Sequence, residues 1–159
     1  MSTRSYILIE TKKSKFKGVY CHWDGYIEWN GFILQNYYQN REKVEKLISL
    51  GSLSSLRVNV EPTNGEEHNF ENPQKTVCVF YTRDRKEEWK WNRPRNFTLK
   101  RANQTDADYV YVYRLNGEWQ YFKTQWYYKG RIKLENLKEA VDKANVDTAE
   151  FRKYLEEGK

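Results

Sequence analysis

The sequence predicts an α+β fold: an antiparallel β-sheet with two helices after an N-terminal hairpin and further helices at the C-terminus. Three observations carry this reading. Apolar positions alternate through 5–11 and again through 16–23, the period of strands. Trp29, Phe32, Ile33 and Tyr37 then recur at helical spacing. Asn116-Gly117 finally separates two alternating runs, 109–115 and 118–125, which is the strongest hairpin signal in the chain.

In chain order, Ile7 and Ile9 face one way and Tyr6 and Leu8 the other. The polar break Lys12-Lys13-Ser14-Lys15 turns the chain, and Val19, Cys21 and Trp23 then oppose Tyr20 and His22. Asp24-Gly25 ends the hairpin, with Trp23 filling the junction to the first helix, Asp24 capping it and Gly25 supplying a positive φ. That helix spans 27–38. Asn40 caps a second helix with Val44, Leu47 and Ile48 inward, and Gly51 closes it in the left-handed conformation.

From Arg57 to Gln74 the chain reads as a long polar loop punctuated by Pro62, Asn64-Gly65 and Pro73, with a short extended piece at 58–60. A buried strand follows at 76–81. Trp89 and Trp91 share one face of an extended segment, and Phe97 and Leu99 mark another short strand. Across Asn116-Gly117 a two-residue loop pairs Val112 with Tyr121 and Tyr111 with Phe122. Tyr109, Tyr111 and Tyr113 then line one face, with Val110, Val112, Trp119 and Tyr121 on the other. After Gly130 the spacing of Leu134, Leu137, Val141 and Ala144, and then of Phe151, Tyr154 and Leu155, is helical. Residues 1–131 form the sheet domain, and 132–159 form a C-terminal helical segment packed on the same domain.

At 159 residues the chain buries roughly two-thirds of its unfolded surface without a staple. Its 13 tyrosines and six tryptophans make an aromatic core in which O–H and N–H groups need partners. Cys21 and Cys78 lie far apart, and neither a signal peptide nor a membrane-length apolar run is visible. The expected setting is cytoplasmic with reduced thiols. The net charge of +6 is uneven. Arg83, Arg85, Lys86, Lys90, Arg93, Arg95, Lys100 and Arg101 face only Asp84, Glu87 and Glu88, a net +5 in one segment. That concentration favours an anionic partner surface.

Catalytic and metal patterns are weak. Adjacent strand residues Cys21 and His22 point to opposite faces and form no nucleophile–base pair. Asp24 is placed to orient the His22 imidazole, but no nucleophile accompanies them. The two cysteines and two histidines show no metal-ligand spacing, and no phosphate-binding glycine loop occurs, so no cofactor or metal is expected. Two readings of the basic segment stay open. Its cations interleaved with Trp89 and Trp91 suit a binding surface, while Lys and Arg on an edge strand also guard against aggregation. The row Tyr109, Tyr111, Tyr113 is likewise either a covered sheet face or a platform.

The stretches Thr3-Arg4-Ser5, Tyr20-Cys21-His22-Trp23-Asp24-Gly25-Tyr26 and Leu47-Ile48-Ser49-Leu50-Gly51, followed by Ser54-Ser55-Leu56, resemble a family of small phage and prophage proteins. The resemblance implies an infected or lysogenic bacterial host and a protein that acts by binding a host machine. In length and character the chain is also similar to anti-CRISPR inhibitors of type II effectors. That likeness implies binding to a guide-RNA-loaded Cas9 nuclease, through its HNH domain, and loss of DNA cleavage. The contact residues expected are Arg83, Arg85, Trp89, Trp91, Arg93, Arg95, Tyr109, Tyr111 and Tyr113, with Trp23, Asp24 and Gly25 as a structural turn. Two alternatives stand beside it: a nucleic-acid-binding accessory protein using the segment 83–101, and an enzyme or small-ligand binder built on His22 and Asp24.

Overall fold

A computed structural model describes residues 2–63 and 65–157, without the side chain of residue 157. Of the expected turn at Asn64-Gly65, Asn64 therefore lies outside the described residues, as do the last two residues of the C-terminal segment. The hairpin strands β1 (Ser5–Lys12) and β2 (Lys15–Cys21) are followed by a π-helical turn, Ile27–Gly31, that runs into α1 (Phe32–Tyr37). Next come α2 (Arg41–Ser49), β3 (Leu53–Ser55), β4 (Val79–Phe80), α3 (Trp89–Asn92), β5 (Arg95–Phe97) and α4 (Leu99–Asn103). The chain ends with β6 (Tyr109–Tyr113), β7 (Trp119–Lys123), β8 (Glu135–Asn136), α5 (Leu137–Ala144) and α6 (Thr148–Glu157).

The α+β class is as the sequence predicts, but the sheet is mixed. Its strand order is β4-β3-β2-β1-β6-β7-β8, with β5 also pairing with β2. β1 is antiparallel to β2 and parallel to β6, with Ser5 opposite Tyr109 and Ile9 opposite Tyr113. Both faces of β1 are consequently covered, which is why its six residues Ser5 to Glu10 are all buried.

The alternation seen in sequence sorts the side chains between two cores. On one face Ile7, Ile9, Val19, Cys21, Tyr111 and Tyr113 pack under α1, α2, α5 and α6, meeting Ile33, Leu47, Leu137 and Phe151. On the other, Tyr6, Leu8, Phe16, Val110, Val112 and Phe122 pack against Phe97, Ala102 and Ala107, with Ile132 and Leu134 partly covering them. The cover on this second side is thin, being one short helix and an irregular strap.

Local signals place most helix ends. The Asn40 side chain accepts from the amides of Glu42 (2.8 Å) and Lys43 (3.3 Å), as a cap should. Gly51 follows α2 with φ +86°. The C-terminal helix begins at Leu137 rather than soon after Gly130, because Glu135 and Asn136 first pair with β7 and Asn136 caps α5. The stretch 76–81 is buried over 76–80 but is a strand only at Val79–Phe80, with Val77 bridging Asn59.

The register of the second hairpin differs from the expected one. Tyr111 pairs with Tyr121 and Tyr113 with Trp119, one residue off the two-residue-loop pairing. Leu115-Asn116-Gly117 forms a three-residue loop in which Gly117 sits at φ +84° and donates to the Arg114 carbonyl (3.0 Å). A one-residue slip exchanges faces. Trp119 and Tyr121 therefore join the tyrosine row, while Phe122 sits with Val110 and Val112.

Glu10 ties the two hairpin turns together. Its carboxylate, 3% exposed as a residue, accepts from Arg114 Nε (2.9 Å), the Leu115 amide (3.0 Å) and the Ser14 amide (3.1 Å). Burial pushes its pKa up, but the Arg114 and amide hydrogen bonds outweigh burial and hold it below the ordinary 4.5. Because the folded-state value is the lower one, this stabilisation is complete above about pH 4.5 and is lost as pH falls through the folded value. The urea midpoint is expected to drop more steeply below pH 4.5 in the wild type than in Glu10→Gln. Parallel pH profiles for the two proteins would contradict this.

Candidate functional site

The basic segment does not form one continuous cationic track. Arg83 is structural. It donates to Asp84 from Nε (2.9 Å) and Nη2 (3.0 Å), to the Val60 carbonyl (2.7 Å) and to the Cys78 carbonyl (3.0 Å). Its guanidinium also lies 4.8 Å from the Phe80 ring centre. Arg95 is exposed, but its head donates to the Tyr6 hydroxyl (2.9 Å) and rests over Phe97. Both were expected at a partner surface and both are engaged within the fold.

Arg85, Trp89, Trp91 and Arg93 remain outside. Trp89 and Trp91 do not share an extended face; they lie on the single helical turn α3, where positions two apart diverge. Pro94 ends that turn by forcing Arg93 into an extended conformation. Trp91 is 79% exposed, Trp89 45% and Phe70 42%. Arg85 stacks 4.4 Å from the Phe70 ring centre and pairs with Glu87 (3.2 Å), while Lys90 lies over Trp91 and meets Glu88 (3.7 Å). The Ser52 backbone holds this end together, donating to the Asn92 carbonyl (2.7 Å) and accepting from the Tyr81 amide (3.2 Å). The surface is aromatic first and cationic second.

The tyrosine row is core, not a platform. Tyr111 is fully buried, and its hydroxyl donates to the Gly25 carbonyl (2.6 Å). Tyr113 is 3% exposed and donates to the Gln39 carbonyl (3.1 Å); Tyr109 is half-buried and stacked on Tyr111. These three fill the space beneath the helices because the sheet face they share is the one the helices cover.

The Trp-Asp-Gly turn is built differently from its expected form. Asp24, not Gly25, carries the positive φ (+57°), and the Asp24 carboxylate accepts from the Tyr26 hydroxyl (3.2 Å) instead of capping the helix. Gly25 is required by close approach: a Cβ there would sit 2.9 Å from the Thr3 carbonyl oxygen and the Arg4 carbonyl carbon. Trp23 is 45% exposed and does not fill the junction; its ring meets His22 edge-on. The His22 imidazole pairs through Nδ1 with the Tyr20 hydroxyl (2.7 Å), so Tyr20 and not Asp24 orients it. Cys21 lies on the other face, inside the core, where burial pushes its thiol up to about 12. Burial raises the Cys78 thiol as well, so neither sulfur is a ready nucleophile at neutral pH. Among the described residues no cluster of histidine, cysteine or carboxylate side chains has the arrangement of a metal site.

A second surface lies on the thinly covered side of the sheet, formed mostly by residues outside the segments the sequence singles out. A furrow of about 950 Å³ is floored by Phe16, Leu99, Ile132 and Leu134 and rimmed by Lys100, Lys129, Arg131 and Lys133. A second hollow of about 450 Å³ shares Arg131, Ile132 and Lys133 and adds Lys123 and Tyr128. Just before them in the chain, Trp126 is 72% exposed, Tyr127 66% and Tyr128 46%. Of the segment 83–101, only Thr98, Leu99 and Lys100 reach this furrow.

The architecture is that of an α+β protein with one mixed sheet, carrying an aromatic end at α3 and a cationic furrow on the thin side. No protein-family model matches the chain, and no curated protein or solved structure shows significant similarity to it. Among the described residues no helix is long and apolar enough to cross a membrane.

Proposed function

We propose that this chain is a non-enzymatic binding protein that docks on a host protein through the end formed by Trp89, Trp91, Arg93, Arg85 and Phe70. The observation that carries the reading is the exposure of Trp91, 79%, beside a second exposed tryptophan and two arginines. Tryptophan and arginine dominate the energetic centres of protein interfaces, and water-facing tryptophans on an ordered turn are costly unless something covers them.

The phage-family resemblance supplies the setting, the cytoplasm of a bacterial host, and the likeness in length and character to anti-CRISPR inhibitors supplies the target, a guide-RNA-loaded Cas9. Cleavage by such a nuclease requires the HNH domain to swing onto the target strand. An aromatic anchor that clamps this domain stops cleavage while leaving DNA binding intact. Occupying the cleft that reads the PAM calls for an acidic mimic of DNA, which a chain of net charge +6 is not. Nucleic acid as the ligand of the segment 83–101 itself is the weaker alternative. Arg83 and Arg95 are spent inside the fold, and Arg85 and Lys90 meet Glu87 and Glu88.

Gel filtration of the protein with guide-loaded Cas9 orthologues, alongside target cleavage, tests the reading. Co-elution with one orthologue and loss of cleavage are expected. Trp89→Ala/Trp91→Ala is expected to weaken that complex by about 30-fold, the ~2 kcal/mol typical of a hot spot, at unchanged thermal stability. Absence of a complex with every orthologue tried would reject the target.

A further inference from the structure

We propose that the thin side of the sheet holds a second binding site, for single-stranded nucleic acid, in the furrow between α4 and the strap 126–134. It is independent of the docking end at α3 and shares none of its residues.

The strap is an ordered display. β7 ends at Lys123, and the side chain of Asn103, 2% exposed, clasps the next turn. Its Nδ2 donates to the Gln125 carbonyl (2.9 Å), and its Oδ1 accepts from the Gln125 amide (2.6 Å). The Tyr128 amide then donates back to the Gln125 carbonyl (2.8 Å), turning the chain. Trp126, Tyr127 and Tyr128 project from this clasped turn, with the first two rings set edge to face at 6.0 Å. Gly130 lets Tyr128 fold back, since a Cβ at 130 would overlap its ring. Beyond it Ile132 and Leu134 pack on the sheet and fix Lys133 between them, with Arg131 adjoining.

The charge of the furrow is unbalanced. Among the described residues, Lys100, Lys129, Arg131 and Lys133 have no carboxylate within ion-pair distance, whereas Arg114 nearby is paired with Glu10. The larger furrow has no acidic side chain in its lining, and the smaller has only Glu135. Unpaired cations along a groove are the complement of a phosphate chain. Three exposed aromatic rings on the same strap, of which Tyr128 lines the smaller hollow, add what a duplex does not use, because stacking on a side chain needs bases that are free of their partners. Cations for phosphates and rings for bases, on one anchored strap, select a single strand.

Fluorescence anisotropy with the full chain tests this, using labelled 12-nucleotide oligo-dT and oligo-rU against a blunt duplex of the same length and against anionic phosphatidylserine vesicles. Both single strands, or one of them, are expected to bind at least tenfold tighter than the duplex and to ignore competition by vesicles. Which of the two binds tighter identifies DNA or RNA as the source. Lys129→Gln/Arg131→Gln/Lys133→Gln is expected to flatten the plot of log affinity against log salt by about 2, since each neutralised phosphate contributes about 0.7. Trp126→Ala/Tyr127→Ala is expected to cost at least tenfold at an unchanged salt slope, and both variants should keep the wild-type melting temperature. Trp89→Ala/Trp91→Ala should leave oligonucleotide binding as it was, which separates this site from the docking end. The proposal is overturned by duplex or vesicles binding as tightly as single strands, by no binding at 50 mM salt, or by aromatic variants that bind like wild type.

Discussion

Asp84→Ala is expected to lower the unfolding free energy by about 3 kcal/mol, the typical loss when one member of a buried ion pair is removed. Its side chain is 3% exposed and accepts from the Phe80 amide (2.8 Å) and from two nitrogens of Arg83, with His68 Nε2 at 3.4 Å. The Arg83 fork also holds the Val60 and Cys78 carbonyls, so without the carboxylate a largely covered guanidinium keeps these neutral partners and, as its one remaining anion, the exposed Glu61 at 3.9 Å. His68 belongs to the same knot: its Nδ1 accepts from the Gln74 amide (2.9 Å), which leaves the proton on Nε2 facing Cys78 O (3.0 Å). The long loop from Arg57 is thus fastened from inside by three side chains. Urea denaturation at pH 7 measures the loss. The double variant Arg83→Met/Asp84→Ala should lose less than the two single variants added together, because it leaves no orphaned charge. A loss below about 1 kcal/mol in Asp84→Ala would show that the knot contributes little to stability.

Gly51→Ala is expected to cost about as much and to weaken partner docking as well. At φ +86° a Cβ adds roughly 1–2 kcal/mol of backbone strain by itself. Here it would also overlap the Asn92 carbonyl oxygen and come within 2.9 Å of the Trp89 ring. α3 would have to move away from Ser52, taking both exposed tryptophans with it. A total of about 3 kcal/mol lowers the melting temperature by roughly 6–12 °C in a chain of this size. Gly65→Ala is the control: its φ is +67°, but a Cβ there meets nothing within 4 Å, so only the backbone cost applies. Equal melting temperatures for the two variants would mean that α3 yields freely.

What the sequence made legible was local. The Asn40 cap, the Gly51 stop, the alternation of Ile7 with Leu8 and the helical spacing from Trp29 to Tyr37 all depend on neighbours a few residues away. The misreadings depend on distant ones. Arg83 and Arg95 looked free because their partners, Val60 and Tyr6, lie 23 and 89 residues off. The tyrosine row looked ambiguous because nothing in 109–113 says which face the helices will cover. The hairpin register slipped because Asn-Gly serves both two- and three-residue loops, and only the conformation of Gly117 distinguishes them. The furrow went unread for a different reason. Residues 126–133, Trp-Tyr-Tyr-Lys-Gly-Arg-Ile-Lys, carry three cations and three aromatics in eight positions but have no period. That density was the available signal.

The parallel pairing of β1 with β6 sets the order of events during synthesis. Among the strands of this sheet, the first to be synthesised, β1, is the middle of the finished order, and its second neighbour lies more than 100 residues later. At translation rates of 5–20 residues per second, β1 waits roughly 5–20 s with one edge unpartnered. In that interval it is sheltered by β2, by α1 and α2 on one face and, later, by Phe97, Ala102 and Ala107 on the other, while its β6 edge stays open. The rest of the sheet then closes in a late, non-local step of the kind that makes folding slow. A nascent chain halted before Tyr109 therefore presents a sticky strand where the complete protein has its best protected one.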